Sequence, residues 1–231
     1  MLEQLRQDLQ KHGNPEKAEI MQRFFKTGPG QYGEGDVFIG VKVPEQRAVA
    51  RRYLNLSLNE IEKLLNDKIH EYRLTGLFLL INKYKKADDK TKKEIFNFYL
   101  KNTKNINNWD LVDVSAEHII GEFLHNKNRD LLYQLARSKD LWERRIAMLS
   151  CFSYIKKNQF EDALRIADML LDDKHDLIHK AAGWMLREIG KRDLAVEEEF
   201  LKRHCKSMPR TMLRYAIERF DDRKRAEYLR K

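Results

Sequence analysis

The sequence predicts an all-α chain, folded as an α-solenoid of helical repeats. Three observations lead there. Glycine and proline are scarce among the 231 residues, at ten and four, which favours long helices over a strand-and-turn architecture. Nearly every segment places apolar residues at helical spacing, and no convincing strand is present. Finally, one polar residue recurs near the start of every second predicted helix. These are Arg73, Asp113, Arg145, Lys180 and Arg214, separated by 40, 32, 35 and 34 residues, with Gly76, Ala116, Ala147 and Gly183 two or three positions later. Helix pairs repeating at this interval are the signature of HEAT-like repeats. The expected form is a right-handed superhelix with a basic concave face, a single domain over residues 1–231, with the recurring polar residues projecting along that face. An irregular helical bundle with chance spacing is the competing architecture.

The elements follow in order. Asn14-Pro15 reads as an N-cap followed by proline at the first helical position, opening a helix to about Lys26. A loop insertion at about 28–41 comes next. Within it, Val37-Phe38-Ile39-Gly40-Val41 is short and lies beside a glycine cluster, so it is expected as extended loop. Val43-Pro44-Glu45 starts another helix, and Ser57-Leu58-Asn59-Glu60 has the capping-box pattern before Ile61, Leu64 and Leu65. Further helices are predicted at about 70–85, 88–101, 109–123, 128–138, 141–157, 159–171, 175–190, 193–204 and 209–220.

The net charge of +9, from 45 Lys and Arg against 36 Asp and Glu, suggests a polyanionic partner such as DNA or RNA. Cys151 and Cys205 are too few for a disulfide framework. The start, Met1-Leu2-Glu3-Gln4-Leu5-Arg6, has no apolar signal core, and no apolar run is long enough to span a bilayer. A soluble, cytoplasmic protein without a membrane partner is expected.

Two patterns resemble known chemistry and are set aside. Gly28-Pro29-Gly30-Gln31-Tyr32-Gly33 fits G-x-G-x-x-G, but it follows a helix, contains proline and lies in no βαβ unit. A flexible connection is expected, although so glycine-rich a loop can lie close to a ligand. His175 and His179 sit one turn apart, yet no third ligand has a matching spacing, so a solvated, partly helix-capping pair is expected and no metal.

A third pattern is retained. Trp109 and Asp113 are four residues apart and share one helix face. Trp109, Val112, Ala116, Ile119 and Phe123 make a core stripe with Asp113 at its edge, where a carboxylate must be paired, solvated or functional. Arg145 and Trp184 fall at matching places in later repeats. Each tryptophan alone reads as core, and Trp142 does too. Together with the basic balance, the four describe cations for a phosphate backbone, aromatic faces for a sugar or base, and a carboxylate where positive charge develops.

On these and neighbouring residues the chain resembles the AlkD-like DNA alkylation repair proteins, DNA glycosylases built from HEAT-like repeats. The carrying strings are Asn14-Pro15-Glu16-Lys17-Ala18-Glu19, Val43-Pro44-Glu45-Gln46-Arg47, Trp109-Asp110-Leu111-Val112-Asp113, Trp142-Glu143-Arg144-Arg145-Ile146-Ala147, Lys180-Ala181-Ala182-Gly183-Trp184-Met185-Leu186-Arg187-Glu188 and Leu213-Arg214-Tyr215-Ala216-Ile217. The resemblance implies hydrolysis of the N-glycosidic bond of positively charged N3- and N7-alkylated purines in duplex DNA. It implies no cofactor, no metal and no base-flipping pocket. It places the catalytic aspartate on Asp113, the active-site tryptophans on Trp109 and Trp184, and a DNA-contacting arginine on Arg145. Lys180, Arg187 and Arg214 are expected at the DNA with it, and a monomer is expected. One position departs: where the family has a tyrosine in the second helix, this chain has Phe24 or Phe25, keeping an aromatic face without the hydroxyl. The Gly28–Asp36 loop is also longer than in the family's best-known member. Two other readings stand beside the enzyme, a non-catalytic HEAT-repeat protein binding damaged or branched DNA and a protein–protein scaffold.

Overall fold

The computed structural model describes residues 1–230. The chain is all-α. Among the described residues no strand ladder forms, and Val37 and Ile69 make an isolated parallel bridge. Val37–Val41 is thus loop, as expected. The chain divides into two compact units, Met1–Ser115 and Ala116–Lys231.

In the first unit, α1 (Leu2–Gln10) buries Leu2, Leu5 and Leu9 along one stripe. The α2 helix (Pro15–Phe24) opens where Asn14 accepts from the Lys17 amide at 2.9 Å, and it buries no residue. It stops at Phe24, and Lys26 turns the chain at a φ of 52°. Next come α3 (Val43–Arg52) and α4 (Leu58–Leu65), the latter capped reciprocally by Ser57 and Glu60. The α5 helix (His70–Lys86) is buried from His70 through Ile81 because α3, α4 and α6 (Asp89–Lys101) pack around it. Its Gly76 lies over Leu64 and Leu65 of α4, where an added Cβ would sit at 3.3 Å. A 3-10 turn (Thr103–Asn105) leads to α7 (Trp109–Ala116).

The helix predicted over 109–123 is regular only to Ala116. A π turn (Glu117–Gly121) and then α8 (Glu122–Leu124) continue it in the second unit. Of the predicted stripe, Val112, Ala116 and Ile119 are fully buried, whereas Trp109 and Phe123 are part-exposed. Gly121 marks a close approach, since a Cβ there would meet the Ser150 carbonyl at 2.4 Å.

The second unit continues through α9 (Asp130–Ala136), α10 (Leu141–Ser150), α11 (Phe152–Ile155), α12 (Glu161–Met169), α13 (Asp176–Gly190), α14 (Leu194–His204) and α15 (Arg210–Ala216). A 3-10 turn (Ile217–Arg219) and α16 (Asp222–Leu229) close it. The α10 helix packs on α9 and on α13, and α13 packs on α12, α14 and α15. Second helices therefore pack successively on one another, and α10 and α13 also pack on their first helices, α9 and α12, as in a helical solenoid. The single helix predicted over 141–157 is interrupted at Cys151, just after Ser150 returns a hydrogen bond to the Ile146 carbonyl at 2.7 Å.

Candidate functional site

Asn108 prepares the start of α7. Its Oδ1 accepts from the Trp109 amide at 2.8 Å and its carbonyl accepts from Val112 at 3.1 Å. From this helix Trp109 and Asp113 both emerge part-exposed. Beneath Asp113, the buried Tyr99 hydroxyl meets Ser115 at 2.9 Å. Burial pushes the Tyr99 phenol far above its usual range, with the Asp113 charge adding to the shift and the Ser115 hydrogen bond opposing it.

Aromatic rings surround Trp109. Phe25 stacks on the indole with centroids 5.1 Å apart and planes 13° from parallel. Phe24 meets it edge-on at 5.9 Å and stays 63% exposed. Both candidates for the family tyrosine position therefore touch Trp109, one as its support and the other as an outward rim. Behind Phe25 lie Phe38, at 4.9 Å, and the imidazole of His70, at 5.1 Å.

Four charged side chains underlie these rings. His70 is 1% exposed and lies between two carboxylates, with Nδ1 2.9 Å from Asp36 and Nε2 2.8 Å from Asp110. Arg73 donates to the other oxygen of Asp36 at 2.6 Å, and Asn108 donates to Asp36 at 3.2 Å. Burial opposes a charge on His70, but Asp110 and Asp36 outweigh it and lift the imidazole to about 9. Burial likewise opposes ionisation of Asp36, and His70 with Arg73 reverses this to hold its carboxyl below the usual range. Two cations thus balance two anions, as buried charges require.

This cluster secures the glycine loop. Asp36 ends the 28–36 segment, and Gly33 lies against α2 so closely that a Cβ would meet the Phe25 carbonyl at 2.4 Å. The following residues are held by the buried Glu71 carboxylate, which accepts from the Ile39, Gly40 and Val41 amides at 2.8–3.2 Å. Gly40, at a φ of 80°, passes over Asn14, whose carbonyl an added Cβ would meet at 2.0 Å.

The remaining expected residues lie in the second unit. On α13, part-exposed Trp184 rests beside Phe152, centroids 5.8 Å apart, and donates from Nε1 to Glu188 at 3.2 Å. Lys180 pairs with Asp176 at 2.8 Å, Arg187 bonds to Glu218, and Arg214 on α15 is exposed. Gly183 lets α15 approach α13, since a Cβ there would meet the Met212 carbonyl at 2.4 Å.

The polar register departs from the expected projection at two positions. Arg73 is buried against Asp36, and Arg145 is 4% exposed with its guanidinium donating to the Leu177 carbonyl. Both lie on helices that are enclosed by neighbours, and there a guanidinium satisfies buried acceptors. His175 caps α13 by accepting from Leu177, and His179 donates to the Asp173 carbonyl. No group of three potential metal ligands gathers among the described residues.

Sequence reasoning missed His70, Asp110 and Asn108 as parts of one cluster, and Asp36 as its anchor. Each is ordinary by itself, and 34 to 40 residues separate His70 from its two carboxylates.

Among the described residues no helix is long and apolar enough to cross a membrane. The solved structures similar to this chain share its fold at low identity. A predicted DNA alkylation repair enzyme from Enterococcus faecalis matches with a TM-score of 0.71 and 19% identity, covering 91% of this chain and 98% of that one. AlkD2 from Streptococcus mutans matches at 0.57 and 19%, covering 96% and 97%. The smu.31 protein of Streptococcus mutans UA159 matches at 0.56 and 21%, covering 78% and 93%. No curated protein sequence matches. The model of the DNA alkylation repair enzyme family matches residues 5–220, nearly the whole chain, and the chain therefore belongs to that family.

Proposed function

We propose that the protein is a DNA glycosylase that hydrolyses the N-glycosidic bond of positively charged N3- and N7-alkylated purines in duplex DNA. The observation that carries this reading is the Trp109–Asp113 face of α7, a part-exposed indole and a carboxylate one turn apart, with Phe25 behind the indole and Phe24 at its rim. An alkylated purine already carries positive charge and leaves without a general acid. As the bond to C1′ breaks, the deoxyribose becomes oxocarbenium-like. The Asp113 carboxylate stabilises that charge and orients the water that adds to C1′. The indole faces of Trp109 and Trp184 contact the sugar and share the cation stabilisation. Lys180, Arg187 and Arg214 are assigned to the DNA, where phosphate contacts give affinity without sequence reading, while Arg145, expected there from the resemblance, is engaged by the Leu177 carbonyl. Duplex DNA bearing alkylated bases is the partner, a monomer the working state and the cytoplasm the compartment. One array over residues 1–231 is part of the same proposal.

The test is release of free N7-methylguanine and N3-methyladenine from methylated duplex DNA by the parent and by Asp113→Asn, with DNA binding measured in parallel. The variant is expected to lose roughly 10²–10³ in rate while binding changes little. Parental excision by the variant would remove Asp113 from the mechanism.

A second reading, a protein that binds damaged or branched DNA without excising a base, draws on two observations. Phe24 lacks the family hydroxyl, and the Arg145 guanidinium is buried against Leu177. It predicts salt-sensitive binding by the parent with no abasic product.

A further inference from the structure

We propose that His70 is a positioning residue for base excision: by bridging Asp36 and Asp110 it holds the glycine loop and the first turn of α7 together, and so sets the plane of Trp109 beside Asp113. The proposal rests on the glycosylase reading and adds a residue that touches neither DNA nor the reacting atoms.

Three connections run from His70 to Trp109. Nε2 binds Asp110, the residue after the tryptophan, at 2.8 Å. Nδ1 binds Asp36, to which Asn108 donates at 3.2 Å while its own Oδ1 receives the Trp109 amide at 2.8 Å. The imidazole face contacts Phe38 at 4.5 Å and Phe25 at 5.1 Å, and Phe25 is the ring stacked on Trp109. The backbone amide before the indole, the side chain after it and the ring beneath it therefore all refer to one buried imidazole. Each hydrogen bond is directional, and a bridge between two carboxylates needs both ring nitrogens as donors, a condition that only the protonated imidazole meets. The charged groups facing His70 are Asp36 from the loop, Arg73 from α5 and Asp110 from α7. Arg73 lies 3.4 Å from Nδ1 and opposes the charge, while the carboxylates favour it. Deprotonation removes one donor and leaves Asp36 or Asp110 facing a lone pair, so that the weaker Asn108–Asp36 bond is left as the side-chain tie between the loop and the start of α7.

A buried bridge that serves stability alone would leave Trp109 where it is once the protein is folded. The experiment therefore reads the indole as well as the rate. Near-UV circular dichroism of the DNA-free protein, minus that of Trp109→Phe, isolates the Trp109 signal. This signal is followed from pH 6.5 to 9.5 with far-UV monitoring, in the parent and in His70→Gln. Single-turnover release of N7-methylguanine at saturating protein, and DNA affinity, are measured on both. In the parent the Trp109 signal is expected to titrate with a midpoint near that of His70, seen by histidine NMR, while helix content stays constant. His70→Gln is expected to lack the transition and to release base roughly tenfold to a hundredfold more slowly, since a misplaced group costs that much, with affinity within about threefold.

A Trp109 signal indifferent to pH while His70 titrates overturns the proposal, and this arm needs no variant. So does His70→Gln that keeps the parental signal and rate, whatever its melting temperature. Should His70→Gln not fold, Asp110→Ala removes the acceptor that His70 meets on α7 and is expected to reproduce the loss of signal; a parental signal in that variant counts against the proposal. A parent that shows the coupled titration but releases no base would sink the glycosylase reading while leaving the link from His70 to Trp109 intact.

Discussion

Glu197 shows how one side chain sets a pH dependence. It is buried on α14, its Oε1 meets no hydrogen-bond donor, and burial, reinforced by Glu198, pushes its carboxyl up to about 8 against the pull of Arg187 and Lys224. The folded state thus holds a proton that the unfolded chain releases near 4.5. Stability is greatest below the lower value and declines as pH rises towards the upper one. Glu197→Gln keeps the shape and removes the titration. The variant's stability relative to the parent should rise between pH 5 and pH 8, as measured by thermal unfolding at both. An unchanged difference at the two pH values would show that Glu197 ionises freely in the fold. His70 contributes with the same sign over a higher window, from 6.5 to about 9, because its folded-state value is raised. The two are therefore separable by variant. At this scale the sequence was informative where a residue's type was unusual for its position, as with Trp109 beside Asp113. It was silent on Glu197 and His70, because nothing local marks a glutamate or a histidine as buried.

At the scale of elements, close approach is as decisive as apolar patterning. Gly183 sits on α13 where α15 crosses, and a methyl group there would enter the Met212 carbonyl and the Tyr215 Cβ, at 2.4 and 2.6 Å. Gly183→Ala should therefore destabilise the protein by about 1–3 kcal/mol despite the better helix propensity of alanine. Chemical denaturation checks this, and a change below about 0.5 kcal/mol would mean the two helices part without cost. Helix starts were readable where the capping side chain sits in a recognisable pattern, as at Asn14 and Ser57. Two helices were not anticipated. The α16 helix buries no residue, so no apolar stripe announces it, and α1 begins without a capping side chain. The π turn after Ala116 and the interruption at Cys151 also escaped prediction. They arise where Gly121 meets the Ser150 carbonyl, a contact between segments that helical periodicity does not encode.

Across the whole molecule, repeat spacing and charge were readable because both sum over many positions, whereas the Asp36–His70–Asp110 bridge depends on three residues brought together by folding. The net charge of +9 overstates the cations that stand idle, since Lys180 pairs with Asp176, Arg187 with Glu218 and Lys191 with Glu188. Such part-exposed pairs contribute only about 0–1 kcal/mol each, so a phosphate can take over the cation at little cost. Exposed Arg214 faces no such competition among the described residues, whereas Arg145 is committed to the Leu177 carbonyl. DNA affinity should then fall steeply with salt, with a log–log slope of about −0.9 for each phosphate neutralised. We expect a slope of about −3 or steeper for undamaged duplex, and Arg214→Ala should make it shallower by about one. Fluorescence anisotropy between low and physiological salt measures both. A slope near zero would mean that the basic balance serves solubility rather than a polyanion. A steep slope untouched by Arg214→Ala would move the phosphate contacts to other cations of the chain.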